Sequence, residues 1–190
     1  MRCFVALVPP RALTDGIATW GAEAFASFGS VRLIDAASMH LTLAFLGKLG
    51  DDEVERAGAA VSAVRPRRVR IRLEPAVVGV PRRRPRVLAL QEGAGETGSL
   101  RAELAGELTE AGLLEPDERA FWSHLSVARV KRGALDGGRG RAAIEALPSP
   151  PGRVLEPHDA ERLVLFRSEL GPERATYTSL AQTPLFGGGR

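Results

Sequence analysis

The chain has 190 residues, 44% of them hydrophobic and 26% charged, with a net charge of +3. That composition suits a single compact domain and excludes a disordered or fibrous chain. The lone cysteine, Cys3, excludes an intramolecular disulfide framework and a multi-cysteine zinc site, and no apolar run approaches the ~18 residues of a membrane span. With no secretory leader pattern at the start, the composition predicts a soluble cytoplasmic protein.

Residues 3–8 form an apolar run ended by Pro9-Pro10, which predicts a buried strand. Leu13, Ile17, Trp20 and Ala24 recur at helical spacing and predict a helix over about 11–27 that stops near Gly29. Residues 39–46 alternate as a strand up to Gly47. Asp51 and Asp52 are placed to cap a helix with the stripe Val54, Ala57, Val61 and Val64, ended by Pro66. Val69, Ile71 and Leu73 alternate with arginines as a half-exposed strand over 68–73, and 77–80 continues extended. The arginine-rich loop between Pro81 and Pro85 leads into a strand over 86–91, and glycines at 93, 95 and 98 predict a turn. Leu100, Leu104, Leu108 and Ala111 mark a third helix, and 124–130 a further strand. Residues 136–147 read as a helix weakened by Gly137, Gly138 and Gly140. The segment 148–152 is a breaker within one domain, strands 161–167 and 175–182 flank Gly171-Pro172 as a hairpin, and 187–190 form a frayed tail. The mixture predicts an α+β fold.

Charge is unevenly spread. Residues 65–86 hold nine arginines against one acid, Glu74. Such a cluster is either a phosphate-facing patch or a solvated basic face.

One short pattern occurs twice. His40-Leu41-Thr42-Leu43 returns 84 residues later as His124-Leu125-Ser126-Val127, each time on a strand after a helix. Residues two apart on a strand share a face. His40 and Thr42 therefore project together, as do His124 and Ser126, while the apolar residues between them pack. Two imidazoles and two hydroxyls across one cleft suit phosphoester chemistry without a metal. A neutral ring activates water, a protonated ring supplies the departing oxygen with its proton, and the hydroxyls hold the non-bridging oxygens. No carboxylate or cysteine cluster points to a metal site, and no cofactor is implied. The third histidine, His158, reads as a surface residue, Tyr177 as packing, Trp20 as core, and Phe121-Trp122 as core or cleft wall.

These motifs, with Met1-Arg2-Cys3-Phe4-Val5-Ala6-Leu7, Pro85-Arg86-Val87-Leu88-Ala89-Leu90 and Leu163-Val164-Leu165-Phe166-Arg167-Ser168-Glu169-Leu170, resemble the two-histidine phosphoesterases. Within them the likeness is to the RNA 2′,3′-cyclic phosphodiesterases, also called 2′-5′ RNA ligases. The resemblance runs nearly end to end. It implies one domain over 1–190 of two intertwined lobes, with two antiparallel sheets related by a pseudo-two-fold axis, helices outside and a central cleft. It implies hydrolysis of RNA 2′,3′-cyclic phosphate ends to 2′-phosphates, with His124 as base for water, His40 as acid for the leaving 3′-oxygen, and Thr42 and Ser126 on the phosphate. Arg129, five residues after His124, matches a phosphate-contacting arginine of the family. Its parity is opposite to that of His124, so it reaches the cleft only if the strand bulges or ends near Ala128. The sequence departs from the family at Ser126, usually threonine, and at Ser123, often proline.

The partners implied are RNA ends or cyclic-phosphate nucleotides, with no membrane. Reversible 2′-5′ RNA ligation and cleavage of a small cyclic phosphate remain alternatives. So does a non-catalytic RNA-binding module built on the 65–86 arginines. With no long exposed apolar stripe left over, the chain is expected to be a monomer.

Overall fold

The computed structural model describes all residues except 94, 116–119, 172–174 and 186–190. In chain order the elements are β1 (Arg2–Val8), α1 (Arg11–Ala24), β2 (Val31–Leu33), a 3-10 turn (Ala36–Ser38), β3 (Leu41–Lys48), α2 (Asp51–Ala63), β4 (Arg70–Ile71), β5 (Leu73–Val80), β6 (Val87–Glu92) and α3 (Thr97–Glu110). They continue as β7 (His124–Val130), α4 (Gly137–Glu145), α5 (Gly152–Leu155), β8 (His158–Asp159), β9 (Arg162–Leu170) and β10 (Ala175–Pro184).

All pairings are antiparallel, in the order β10-β9-β1-β3-β7-β6-β5, with β2 also on β7. The ladder is long everywhere except at one step. Between β3 and β7 the only paired residues are Leu41 and Leu125. The sheet is therefore two four-stranded halves, β10-β9-β1-β3 and β2-β7-β6-β5, joined at a single rung.

Each half is covered on one face by helices. The apolar stripe of α1 (Leu13, Ile17, Trp20) is buried and α1 packs on β2 and β7, while α2 packs on β9 and β10 and α3 on β3. The inward residues of the strands, among them Val5, Leu7, Leu41, Leu43, Leu88, Leu125 and Val127, are 0–3% exposed. Burying each such side chain contributes roughly 1.5–3 kcal/mol. This matches the α+β expectation of antiparallel strands backed by helices, with the two expected sheets joined at one rung into a single eight-stranded sheet.

Several local readings change. The 68–73 strand is split. Ile71 and Arg70 pair with His158 and Asp159 of β8 as a separate two-stranded sheet, and Leu73 starts β5 in the main sheet. The alternation is real, but it does not say which partner takes each end. α2 is capped at Gly50, whose N–H donates to Glu53 Oε2 at 2.8 Å; Asp51 and Asp52 lie inside the first turn, where they complement the helix dipole. Gly98 lies within α3 instead of a turn. β3 runs on through Gly47 because that residue takes φ +74°, a left-handed value open to glycine. The β9–β10 hairpin is present, with Ala175 opposite Leu170. Pro172 and the 187–190 tail fall outside the described residues.

Candidate active site

The single rung between the halves organises the site. Leu41 and Leu125 face each other and turn into the core. The residues flanking them on both strands point the other way. By antiparallel register, His40 lies beside Ser126 and Thr42 beside His124. All four are half-buried. The electrostatic influence of His124 reaches His40. Both repeated motifs thus open into one cleft.

Beyond the rung both strands bulge at the same place. In β7, Ser126 stands opposite Ala89 while Ala128 pairs with Leu88, so Val127 is an extra residue. Val127 and Ala128 are both buried, and Arg129 is returned to the face of His124 and Ser126, where it is exposed. The bulge that Arg129 requires is present. In β3, Thr42 pairs with Ala6 and Ala44 with Val5, so Leu43 is the extra residue. This brings Phe45 onto the cleft face, 76% exposed. Phe45 and Arg129 stand at the same position of the two half-sites. One half ends in an aromatic ring, the other in a cation.

The floor is built from small residues. Ala6 is the cross-strand neighbour of Thr42 and Ala89 that of Ser126. Larger side chains there would fill the space between the hydroxyls. Gln91, opposite His124 and half-buried on the same face, completes the set. Sequence reading misses it, although the alternation of Val87, Ala89 and Gln91 carries the signal.

The two rings are held alike. His40 Nδ1 lies 2.8 Å from the Ser38 carbonyl and His124 Nδ1 lies 3.1 Å from the Trp122 carbonyl, each two residues back. A carbonyl only accepts, so each Nδ1 donates, and each Nε2 is left for the cleft. The surroundings differ. Phe4, Tyr177 and Phe166 ring His40 with centroids at 5.0, 5.2 and 6.2 Å. His124 stacks on Trp122 at 4.1 Å, 19° from parallel. Burial pushes both imidazoles below their ordinary pKa, against the opposing pull of the carbonyl bonds; Arg129 and His124 push His40 further down. Tyr177 is packing, as read, but packing around a site residue. Trp122 is cleft wall.

Behind His124 lies a buried acid. Glu92 is 6% exposed, and Thr97 Oγ1 bonds both its Oε2 and, at 3.0 Å, Ser123 Oγ. Its Oε1 is buried with no hydrogen-bond partner among the described residues. Burial raises its pKa. Ser123 is the residue that stands where the family often has proline, and here it ties the start of β7 to β6 and α3.

Other expectations resolve away from the cleft. His158 pairs with Ile71 in the small sheet, and its Nε2 lies 2.9 Å from the Arg153 carbonyl. Within the 65–86 cluster, Arg67, Arg68 and Arg70 meet Glu103, Asp159 and Glu96, so this part is a solvated, charge-paired surface. Among the described residues no three His, Cys, Asp or Glu side chains converge as a metal site, and no helix is long and apolar enough to cross a membrane.

Comparison with known proteins agrees with this fold. The LigT like Phosphoesterase family model matches residues 7–89. In fold the chain is similar to LigT. An RNA 2′,3′-cyclic phosphodiesterase of Aeropyrum pernix is 31% identical over 104 residues, 53% of this chain and 58% of that protein's length. The crystal structure of TT0787 of Thermus thermophilus covers 100% of both chains at a TM-score of 0.76 and 24% identity. E. coli LigT complexed with ATP covers 97% of both at a TM-score of 0.73 and 22% identity. The structural likeness thus extends over the length of the chain, including β7 with His124, which lies beyond the residues the family model matches.

Proposed function

We propose that this chain is a phosphodiesterase that opens RNA 2′,3′-cyclic phosphate ends to 2′-phosphates by paired-histidine acid–base catalysis. The supporting observation is the duplicated half-site. Two imidazoles have the same carbonyl anchor at Nδ1, no hydrogen bond at Nε2 among the described residues and a hydroxyl two residues on, and they flank one strand rung.

In this reading the cyclic phosphate sits over Ala6 and Ala89. Thr42 and Ser126 donate hydrogen bonds to its non-bridging oxygens, and Arg129 offsets its charge. His124 Nε2 takes a proton from water, whose oxygen bonds to phosphorus. The bond from phosphorus to O3′ breaks, and His40 Nε2–H protonates that oxygen. A 2′-phosphate remains, and the proton left on His124 returns to His40 through solvent. Both proton transfers are assigned to imidazoles, so the reaction is expected to proceed in EDTA. The nucleotide-bound LigT structure and the A. pernix phosphodiesterase support a nucleotide substrate. The reading as a non-catalytic RNA-binding module loses ground, because three arginines of its patch are already paired with carboxylates.

The test is turnover of a nucleoside 2′,3′-cyclic phosphate in EDTA, with the product isomer identified by chromatography. His40→Ala and His124→Ala are each expected to lose about 10²–10⁴-fold. Full activity in either variant, or a 3′-phosphate product, overturns the proposal.

A further inference from the structure

The two half-sites are alike up to their bulges and differ beyond them, and the difference has a direction. After Leu43, β3 presents Phe45. After Val127, β7 presents Arg129, and β2 lies alongside it with Arg32 directly opposite. Two arginines facing each other across an antiparallel pair, with Cα atoms about 5 Å apart, repel and destabilise the pair. Both are exposed, and among the described residues neither guanidinium meets a carboxylate. Lys131, exposed and also without a carboxylate among the described residues, follows two positions later, its N–H fixed to the Ser30 carbonyl at 2.9 Å. Gly29, Ser30, Arg32, Arg129 and Lys131 line one concave depression. Three cations that meet no carboxylate among the described residues thus line one hollow.

We infer that the hollow between β2 and the end of β7 is a second phosphate subsite, which takes the phosphodiester or 5′-phosphate on the 5′ side of the terminal nucleotide. This rests on the phosphodiesterase reading above and deepens it. The spacing fits. From Ser126, which faces the reacting phosphate, to Arg129 is two ladder steps, about 7 Å, a length that one nucleotide spans. Arg129 stands between the two positions, with Arg32 and Lys131 on the outer side. At the position that corresponds to Arg129 the other half-site presents Phe45, next to Phe4, and the hollow beside His40 holds one arginine among the described residues, Arg162, against three cations here. The strand is therefore oriented, with its anionic chain leaving over β2. A substrate with a phosphate at its 5′ side gains over a bare nucleoside cyclic phosphate.

Three probes separate the parts of this argument: a nucleoside 2′,3′-cyclic phosphate, the same molecule with a 5′-phosphate, and a trinucleotide ending in the cyclic phosphate. kcat/KM is expected to rise on adding the 5′-phosphate and to stay high in the trinucleotide. In Arg32→Ala/Lys131→Ala the advantage of the phosphorylated probes over the bare one falls about five- to tenfold at low salt. The slope of log(kcat/KM) against log[salt] on the trinucleotide falls by about 1.4, two contacts' worth for a single strand. Anisotropy of a labelled trinucleotide ending in 2′-phosphate reads the same loss without turnover. Equal kcat/KM for all three probes, or an unchanged ratio and unchanged anisotropy in the double variant, overturns the subsite. No turnover of any probe, with the anisotropy loss intact, overturns the phosphodiesterase reading and leaves the anion site standing. A gain with the 5′-phosphate that is lost in the trinucleotide restricts the hollow to a terminal phosphate and overturns the strand path.

Discussion

Replacing Arg129 by glutamine removes one positive charge from the cleft face of β7 and leaves the strand, with its core residues Val127, Ala128 and Val130, intact. A hydrogen bond to a charged group contributes about 1.5–3 kcal/mol. Arg129 is exposed, so the lower end applies, about 1.5 kcal/mol, or roughly tenfold in kcat/KM. A second effect comes from the same charge. Arg129 helps hold the His40 imidazole down, so its removal lets that pKa rise. Arg129→Gln is therefore expected to lose about tenfold in kcat/KM on a cyclic nucleotide and to shift the limb of the pH–rate profile that belongs to His40 to higher pH. Arg129→Lys keeps the charge and should leave the limb in place, while losing the paired contacts that a planar guanidinium makes. Steady-state rates at a series of pH values check both. Wild-type kcat/KM in the glutamine variant, with the limb unmoved, would refute the assignment and make the bulge a packing feature only.

Three further outcomes follow from the same geometry. Burial holds both imidazoles below their ordinary pKa; above the pair's values no acid remains, and below them no base, so kcat/KM should peak on the acid side of about 6.5. Bound phosphate favours the protonated rings, so the kcat profile should lie alkaline of it; a kcat/KM optimum above pH 8 contradicts the burial argument. Leu125→Ala cuts the side chain that holds the sole rung between the halves, 0% exposed, and should cost about 2–5 kcal/mol, lowering Tm by roughly 5–15 °C in calorimetry. Glu92 has a raised folded-state pKa, so its contribution is present below the unfolded value and lost as pH rises through the folded one. Glu92→Gln should gain stability against wild type as pH rises above the ordinary carboxylate value of about 4.3 in urea titrations, and a pH-independent difference would count against a buried acid.

The chemistry-bearing residues are legible because a two-residue period needs only the local chain. β7 is readable over 124–130, and the common face of His40 with Thr42 and of His124 with Ser126 follows from alternation alone. The bulges are not readable. Leu43 and Val127 look like ordinary apolar positions, and only the register with β1 and β6 reveals them as extra. Arg129 is therefore placed by resemblance while its parity argues against it, and Phe45 passes as one more strand residue. β2 escapes because three residues carry no period. The Glu92–Thr97–Ser123 network escapes because Ser123 lies 26 residues beyond Thr97 and each member looks like an ordinary polar residue in isolation. Arg67, Arg68 and Arg70 look like free charge because their carboxylate partners sit on other elements.

The order in which the strands enter the sheet has a consequence for synthesis. The half that carries His40 takes β1 and β3 from early in the chain and β9 and β10 from late in it, while the half that carries His124 is finished at Val130. Phe4 and His40 emerge from a ribosome long before Phe166 and Tyr177. A nascent polypeptide that extends past Val130 but not to Phe166 already holds both histidines, yet His40 has only Phe4 of its three surrounding rings. The half-site of His124 is complete in sequence before that of His40, although His40 is made first.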